Sequence, residues 1–100
     1  MEKDIKIRNG NSSDLGDIMS ISKSLDDWFN EDGIKYIEQD FHFEKTIIAE
    51  VDLKPIGFLS YFIYEGIGYL GWMGVYENYH GSGAGKLLFD EFEKVMKKMI

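Results

Sequence analysis

Between Asn78 and Phe92 the chain reads NYHGSGAGKLLFDEF. Glycines stand at every second position, Gly81, Gly83 and Gly85, and Lys86 follows at once. An apolar pattern with helical spacing begins there. A strand that runs through glycines into a helix start is suited to hold an anion. First-turn N–H groups point outward without partners, the helix dipole adds partial positive charge, and missing Cβ atoms let a phosphate come close. Two phosphate-binding motifs share this physics and fail on spacing. A P-loop needs Gly, four residues, Gly-Lys, then Ser or Thr for magnesium; here His80 holds the first position and Leu87 the last. A G-x-G-x-x-G fingerprint needs its third glycine where Lys86 stands, in a βαβ unit. The loop follows a run of strands instead. A plain tight turn is the structural alternative.

The elements that must position this loop read as follows. Ile5-Lys6-Ile7-Arg8 alternates apolar and charged residues, the pattern of a half-buried strand. Asn9 to Ser13 supplies helix-capping residues, and Leu15, Ile18, Met19, Ser22 and Leu25 keep helical spacing. Asn30 caps a second helix, with Glu31 and Asp32 at its positive dipole end and Ile34, Ile37 and Phe41 as its apolar stripe. Thr46 to Val51 and the aromatic-rich run Ile56 to Tyr64 read as strands around an Asp52–Pro55 turn. Glu65-Gly66 fits a tight hairpin turn before a third run, Ile67 to Val75. After the glycines, Ala84, Leu88, Phe92, Val95, Met96 and Met99 fall on one helical face. The order is β-α-α-β-β-β-α. No helix-stopping residue precedes Ile100, so the pattern reads as truncated.

Composition narrows the function classes. The chain has 100 residues, enough for one domain, with 44% apolar and 15% aromatic residues to build a core. Net charge is −7, and Met1–Glu50 carries 12 acidic residues against 6 basic. No basic patch suits nucleic acid. With no cysteine, thiol catalysis, disulfides and cysteine-based zinc sites are excluded, and no metal spacing accompanies His42. The polar N-terminus and the lack of any run near the ~18 apolar residues of a membrane span point to no membrane and a cytoplasmic protein.

The stretch YLGWMGVYENYHGSGAGKLLF resembles the central Arg/Gln-x-x-Gly-x-Gly/Ala motif of the GNAT superfamily of acetyl-CoA-dependent N-acetyltransferases. Val75 matches the strand residue, Tyr79 the tyrosine, Gly81, Gly83 and Gly85 the small positions, and Leu88 the apolar helix position. KPIGFLSYFIY is similar to the family's third strand. His80 stands where the family has Arg or Gln, and Glu77 where it has Pro. The resemblance implies an α/β (α+β) domain over residues 1–100, a mixed, mostly antiparallel sheet flanked by helices, with the C-terminal part of the fold missing.

The resemblance also implies roles. Acetyl-CoA is the cosubstrate, and no metal is needed. Backbone amides of Gly81, Ser82, Gly83, Ala84, Gly85 and Lys86 hold the pyrophosphate. Met73, Gly74 and Val75 pair with the pantetheine arm, with a bulge near Gly74. Lys86 adds a charge contact or is a surface lysine. His80 donates to a phosphate or is a turn residue. Tyr69 falls where several relatives carry a glutamate base, although a phenol near ~10 is a poor base at neutral pH. Trp28, Phe29, Tyr36 and Phe41 cover the acceptor or are core. Asp26, Asp27, Glu31 and Asp32 attract a cationic amine or form a solvated cap. The implied reaction is direct attack of a primary amine, on a small molecule or a protein, on the thioester. The alternative is a non-catalytic acyl-CoA-binding or regulatory module. Without the family's remaining half, the Ile67–Val75 strand becomes an open edge, so a homodimer is expected.

Overall fold

A computed structural model describes residues 4–99. Four strands form one antiparallel sheet in chain order: β1 (Lys6–Asn9), β2 (Lys45–Val51), β3 (Lys54–Tyr64) and β4 (Ile67–Val75). Helices α1 (Leu15–Ser24) and α2 (Glu31–Phe41) cover one face, and α3 (Ala84–Lys98) covers the other. This is the α/β arrangement expected from the pattern.

The period of the strands sorts the core between the faces. Ile47, Ala49, Val51, Leu59 and Tyr61 pack with Ala84, Leu88 and Phe92 of α3. Ile48 and Phe58 pack with Ile18, Ile21, Leu25 and Ile37 below α1 and α2. The central strands are apolar on both sides because each side meets a helix. Phe58 is fully buried, so truncating it to alanine costs about 3–5 kcal/mol.

The caps hold as the residue types require. Asn30 Oδ1 accepts the Gly33 N–H at 2.8 Å. Asn11 and Asp14 cap the 3-10 turn Ser12–Asp14 reciprocally. Asp14 is only 4% exposed, and the Arg8 guanidinium grips it at 2.9 Å through both terminal nitrogens. Arg8 Nε reaches Glu50 at 2.8 Å, which ties β1 and β2 to the start of α1. These hydrogen bonds hold the Asp14 carboxyl below its ordinary range and raise the guanidinium further above its own.

Two expectations about the strands need correction. The turn after β2 is only Asp52-Leu53, both left-handed (φ 51° and 68°), and Lys54-Pro55 already belong to β3. Pro55 is tolerated because the β2–β3 register shifts beside it, between Ala49 and Glu50. The bulge in β4 lies at Gly71, not near Gly74: Ser60 pairs with Trp72 and Tyr61 with Leu70, leaving Gly71 as the extra residue. Gly74 pairs in register with Phe58. It is small because a Cβ there would sit 3.1 Å from Phe58 and 3.2 Å from Leu25. The Glu65-Gly66 turn is as expected, with φ 52° and 78°, the conformation of a tight two-residue hairpin.

Candidate functional site

The chain leaves β4, makes a 3-10 turn at Glu77–Tyr79, and passes through the glycines into α3. Gly81 and Gly83 take φ of 83° and 91°, a region in which a side chain is strained, and a Cβ on either would meet open space. Gly83 is the N-cap of α3, with no side-chain cap. Gly85 is different. It lies inside the first helical turn, where a Cβ would press on Met73 Cε at 3.1 Å. The glycines therefore serve two purposes, two for the loop's path and one for seating α3 against β4.

The free donors follow from this path. The first backbone bond of α3 runs from Leu87 N–H to Gly83 C=O at 3.0 Å. Ala84 N–H reaches only Ser82 Oγ, at 3.3 Å. Among the described residues, the N–H groups of Gly81, Gly83, Gly85 and Lys86 have no hydrogen-bond partner. Gly81, Gly83 and Gly85 line a cleft of about 490 Å³ together with Leu25, Trp28, Met73, Gly74 and Val75, and Lys86 follows directly behind them.

β4 is the outer strand of the sheet. Tyr76 N–H donates inward to Ile56 C=O at 2.9 Å. By antiparallel alternation Gly74 and Trp72 also face β3, and Met73 and Val75 turn their backbone groups to the open edge. His80 confirms this phase, since its Nε2 lies 2.7 Å from Val75 C=O. A carbonyl can only accept, so Nε2 carries the proton. His80 is thus an exposed turn residue whose Nε2–H is already engaged.

Other expected residues distribute unevenly. Lys86 Nζ pairs with Asp90 at 2.8 Å, and both are exposed. Those contacts raise its pKa further above the usual range. Tyr69 does not line the cleft; it is 41% exposed and stacks on Phe62 at 5.2 Å. Trp28 is not core, being 78% exposed at the rim of the cleft, and Tyr36 is exposed too. Trp28 lies in the turn between α1 and α2, and Tyr36 is on the solvent side of α2, whose buried residue is Ile37. Phe29 is half-buried and meets Trp72 edge-on at 6.0 Å. Among the described residues no group of His, Cys, Asp and Glu has metal-holding geometry, and no helix is long and apolar enough to cross a membrane.

The pattern reading missed Leu25, which lines the cleft from the end of α1, and Glu44, whose carboxylate reaches across β3 to the bulge at Gly71. Glu44 sits between Phe43 and Lys45 in a polar turn, and only the bulge on a distant strand gives it a place.

The sequence profile of the acetyltransferase (GNAT) family matches residues 15–99, and the chain belongs to that family. Its fold is shared by solved structures of low identity. The PaiA N-acetyltransferase of Thermoplasma acidophilum, solved with coenzyme A, is 22% identical with a TM-score of 0.77; the match covers 95% of this chain and 73% of that one. A GNAT family acetyltransferase from Brucella melitensis, solved with acetyl-CoA, is 16% identical with a TM-score of 0.83, over 97% and 71% of the two chains. The ribosomal-protein-S18-alanine N-acetyltransferase of Escherichia coli is 15% identical with a TM-score of 0.80, over 95% of this chain and 61% of that enzyme. No curated protein matches the chain.

Proposed function

We propose that residues 1–100 form one GNAT-like domain that binds acetyl-CoA and transfers its acetyl group to a primary amine by direct attack. The observation that carries this is the set of partnerless N–H groups at Gly81, Gly83, Gly85 and Lys86, the three glycines lining one cleft with Met73–Val75 of the outer strand β4. The donors suit a pyrophosphate without any cationic side chain, which fits an acidic chain and leaves Lys86 to Asp90. Ser82 and Ala84 complete the loop, and His80 holds the carbonyl of Val75 beside it. The edge groups of Met73 and Val75 suit an extended amide-bearing arm laid alongside as an added strand, with Gly74 between them. Bound acetyl-CoA supplies the activated acyl group; the chain's own contribution is to align the thioester and exclude water. The fold relatives solved with coenzyme A and acetyl-CoA support this choice of ligand.

A binding-only module is the second reading, and the place of Tyr69 outside the cleft lining favours it. Backbone NMR with and without acetyl-CoA, paired with thiol release over a panel of amines, tests both. Shifts confined to Gly81–Lys86 and Met73–Val75 with thiol release support the transferase, and the same shifts without release support the module. Shifts elsewhere, or equal competition by magnesium-ATP, would overturn the loop assignment.

A further inference from the structure

The β4 edge beside the glycine loop is already occupied by a side chain of this protein. Val75 is the last residue of β4, so its C=O is the first edge acceptor that an arm leaving the loop would meet. His80 Nε2–H already donates to that oxygen at 2.7 Å. The strand cannot turn its carbonyl away. Val75 is 8% exposed and pairs with Gly57, where an added Cβ would sit 2.9 Å from Val75 Cγ2. The N–H of the next residue, Tyr76, is fixed on Ile56 C=O at 2.9 Å. The histidine is free to move. Its backbone is held by its own N–H on Glu77 C=O at 3.0 Å, but its side chain is exposed. Among the described residues, the bond to Val75 is the ring's one hydrogen bond.

His80 also stands between two cavities. It lines the cleft, and it lines a smaller pocket of about 320 Å³ with Leu25, Asp27, Trp28 and Glu77. Turning about χ1 to another staggered rotamer takes the ring off the carbonyl. The smaller pocket offers it room, and the Asp27 and Glu77 carboxylates are acceptors for the released N–H. An arm paired as an added strand needs its own N–H in line with the Val75 carbonyl, where the ring now stands.

Resting on the cofactor-binding part of the reading above, and not on acyl transfer, we propose that His80 is a latch on the cofactor edge. Its Nε2–H takes the place of an amide N–H of the arm, and the arm must displace the ring to bind. In the empty site the latch satisfies a carbonyl that would otherwise be open edge. A ligand with a pyrophosphate alone meets the loop's free N–H groups and leaves the latch shut. A ligand with an amide-bearing arm opens it. His80 therefore sets how far the site prefers an arm-bearing nucleotide over one without the arm.

Acetyl-CoA and ADP, which carries a pyrophosphate and no arm, separate the latch from the loop. A latch closed by one hydrogen bond lowers the arm's affinity by the fraction of time it is open, about 3- to 10-fold. His80→Ala should therefore tighten acetyl-CoA by about that factor in calorimetry. It should leave ADP within about twofold, read from the amide shifts of Gly81–Lys86. A ring that merely braces the loop gives a different result, because its loss weakens both ligands. Weakening of both, equal tightening of both, or no change overturns the proposal. The wild-type ring is a second readout. Its Nε2 signal in ¹⁵N NMR should move when acetyl-CoA saturates the site and stay when ADP does; a signal that acetyl-CoA leaves in place overturns the latch. If neither ligand shifts the Gly81–Lys86 amides in either protein, the loop reading itself fails and the latch falls with it.

Discussion

Replacing Gly83 by alanine separates a turn that merely needs glycine from a loop that holds a phosphate. The new Cβ meets nothing within 4 Å, so the free protein accepts its volume. Its cost is the backbone, held at φ 91°. A non-glycine residue in a left-handed conformation costs about 1–2 kcal/mol. In a domain of this size that lowers Tm by roughly 4–16 °C. Gly66→Ala is the matched control. It sits at φ 78°, also with open space beyond, at the hairpin tip outside the cleft lining. Both variants should therefore lose comparable stability. Only Gly83→Ala should weaken acetyl-CoA, because its methyl stands beside the unpaired N–H groups. Losing one charge-assisted hydrogen bond to a phosphate is worth about 1.5–3 kcal/mol, or roughly 10- to 150-fold in Kd. Thermal melts and isothermal titration calorimetry on the two variants give both numbers. If Gly83→Ala melts like Gly66→Ala but binds acetyl-CoA within about twofold of wild type, the loop is a turn and the pyrophosphate lies elsewhere.

Three further outcomes are expected. Tyr69→Phe should change turnover by less than about threefold, because Tyr69 lies outside the cleft lining; a loss of tenfold or more at unchanged acetyl-CoA affinity would return proton transfer to the phenol. Asp14→Asn should cost about 2–3 kcal/mol in urea unfolding at pH 7, since it weakens charge-assisted bonds to Arg8. The folded pKa of Asp14 is depressed, so its contribution is present above the ordinary carboxylate value of ~3.9 and is lost as pH falls through the folded one; the variant should therefore lose less stability than wild type on acidification, and parallel pH curves would contradict this. By light scattering, the chain should be a dimer paired through the part of the β4 edge before the Gly71 bulge, where Ile67, Tyr69 and Leu70 are exposed and Met73–Val75 stay free for the cofactor arm, and a monomer at high concentration would show that the edge tolerates solvent.

The elements were legible because their signals are local. Asn30 capping α2, the β-branched run of β2, and Glu65-Gly66 closing a hairpin each depend on residues within a turn of one another. The loop was legible for the same reason, since its path and free donors belong to one short stretch. What escaped depended on register. The bulge was expected at Gly74 because a glycine in a strand suggests one, yet β4 carries Gly68, Gly71 and Gly74, each small for a different neighbour. Gly68 faces Met96, Gly71 faces Glu44, and Gly74 faces Phe58 and Leu25. Only pairing with β3 singles out Gly71, through the shift between Ser60 and Tyr61. That one-residue slip changes which side chains share a face. It puts Tyr69 beside Phe62 and opens at Gly71 the space that Glu44 fills. The base position carried over from the family's strand pattern assumes a strand register that this chain interrupts two residues later. Hence the path of the glycine loop can be read from spacing alone, whereas which side chains share a face of β4 cannot be read until the bulge is located.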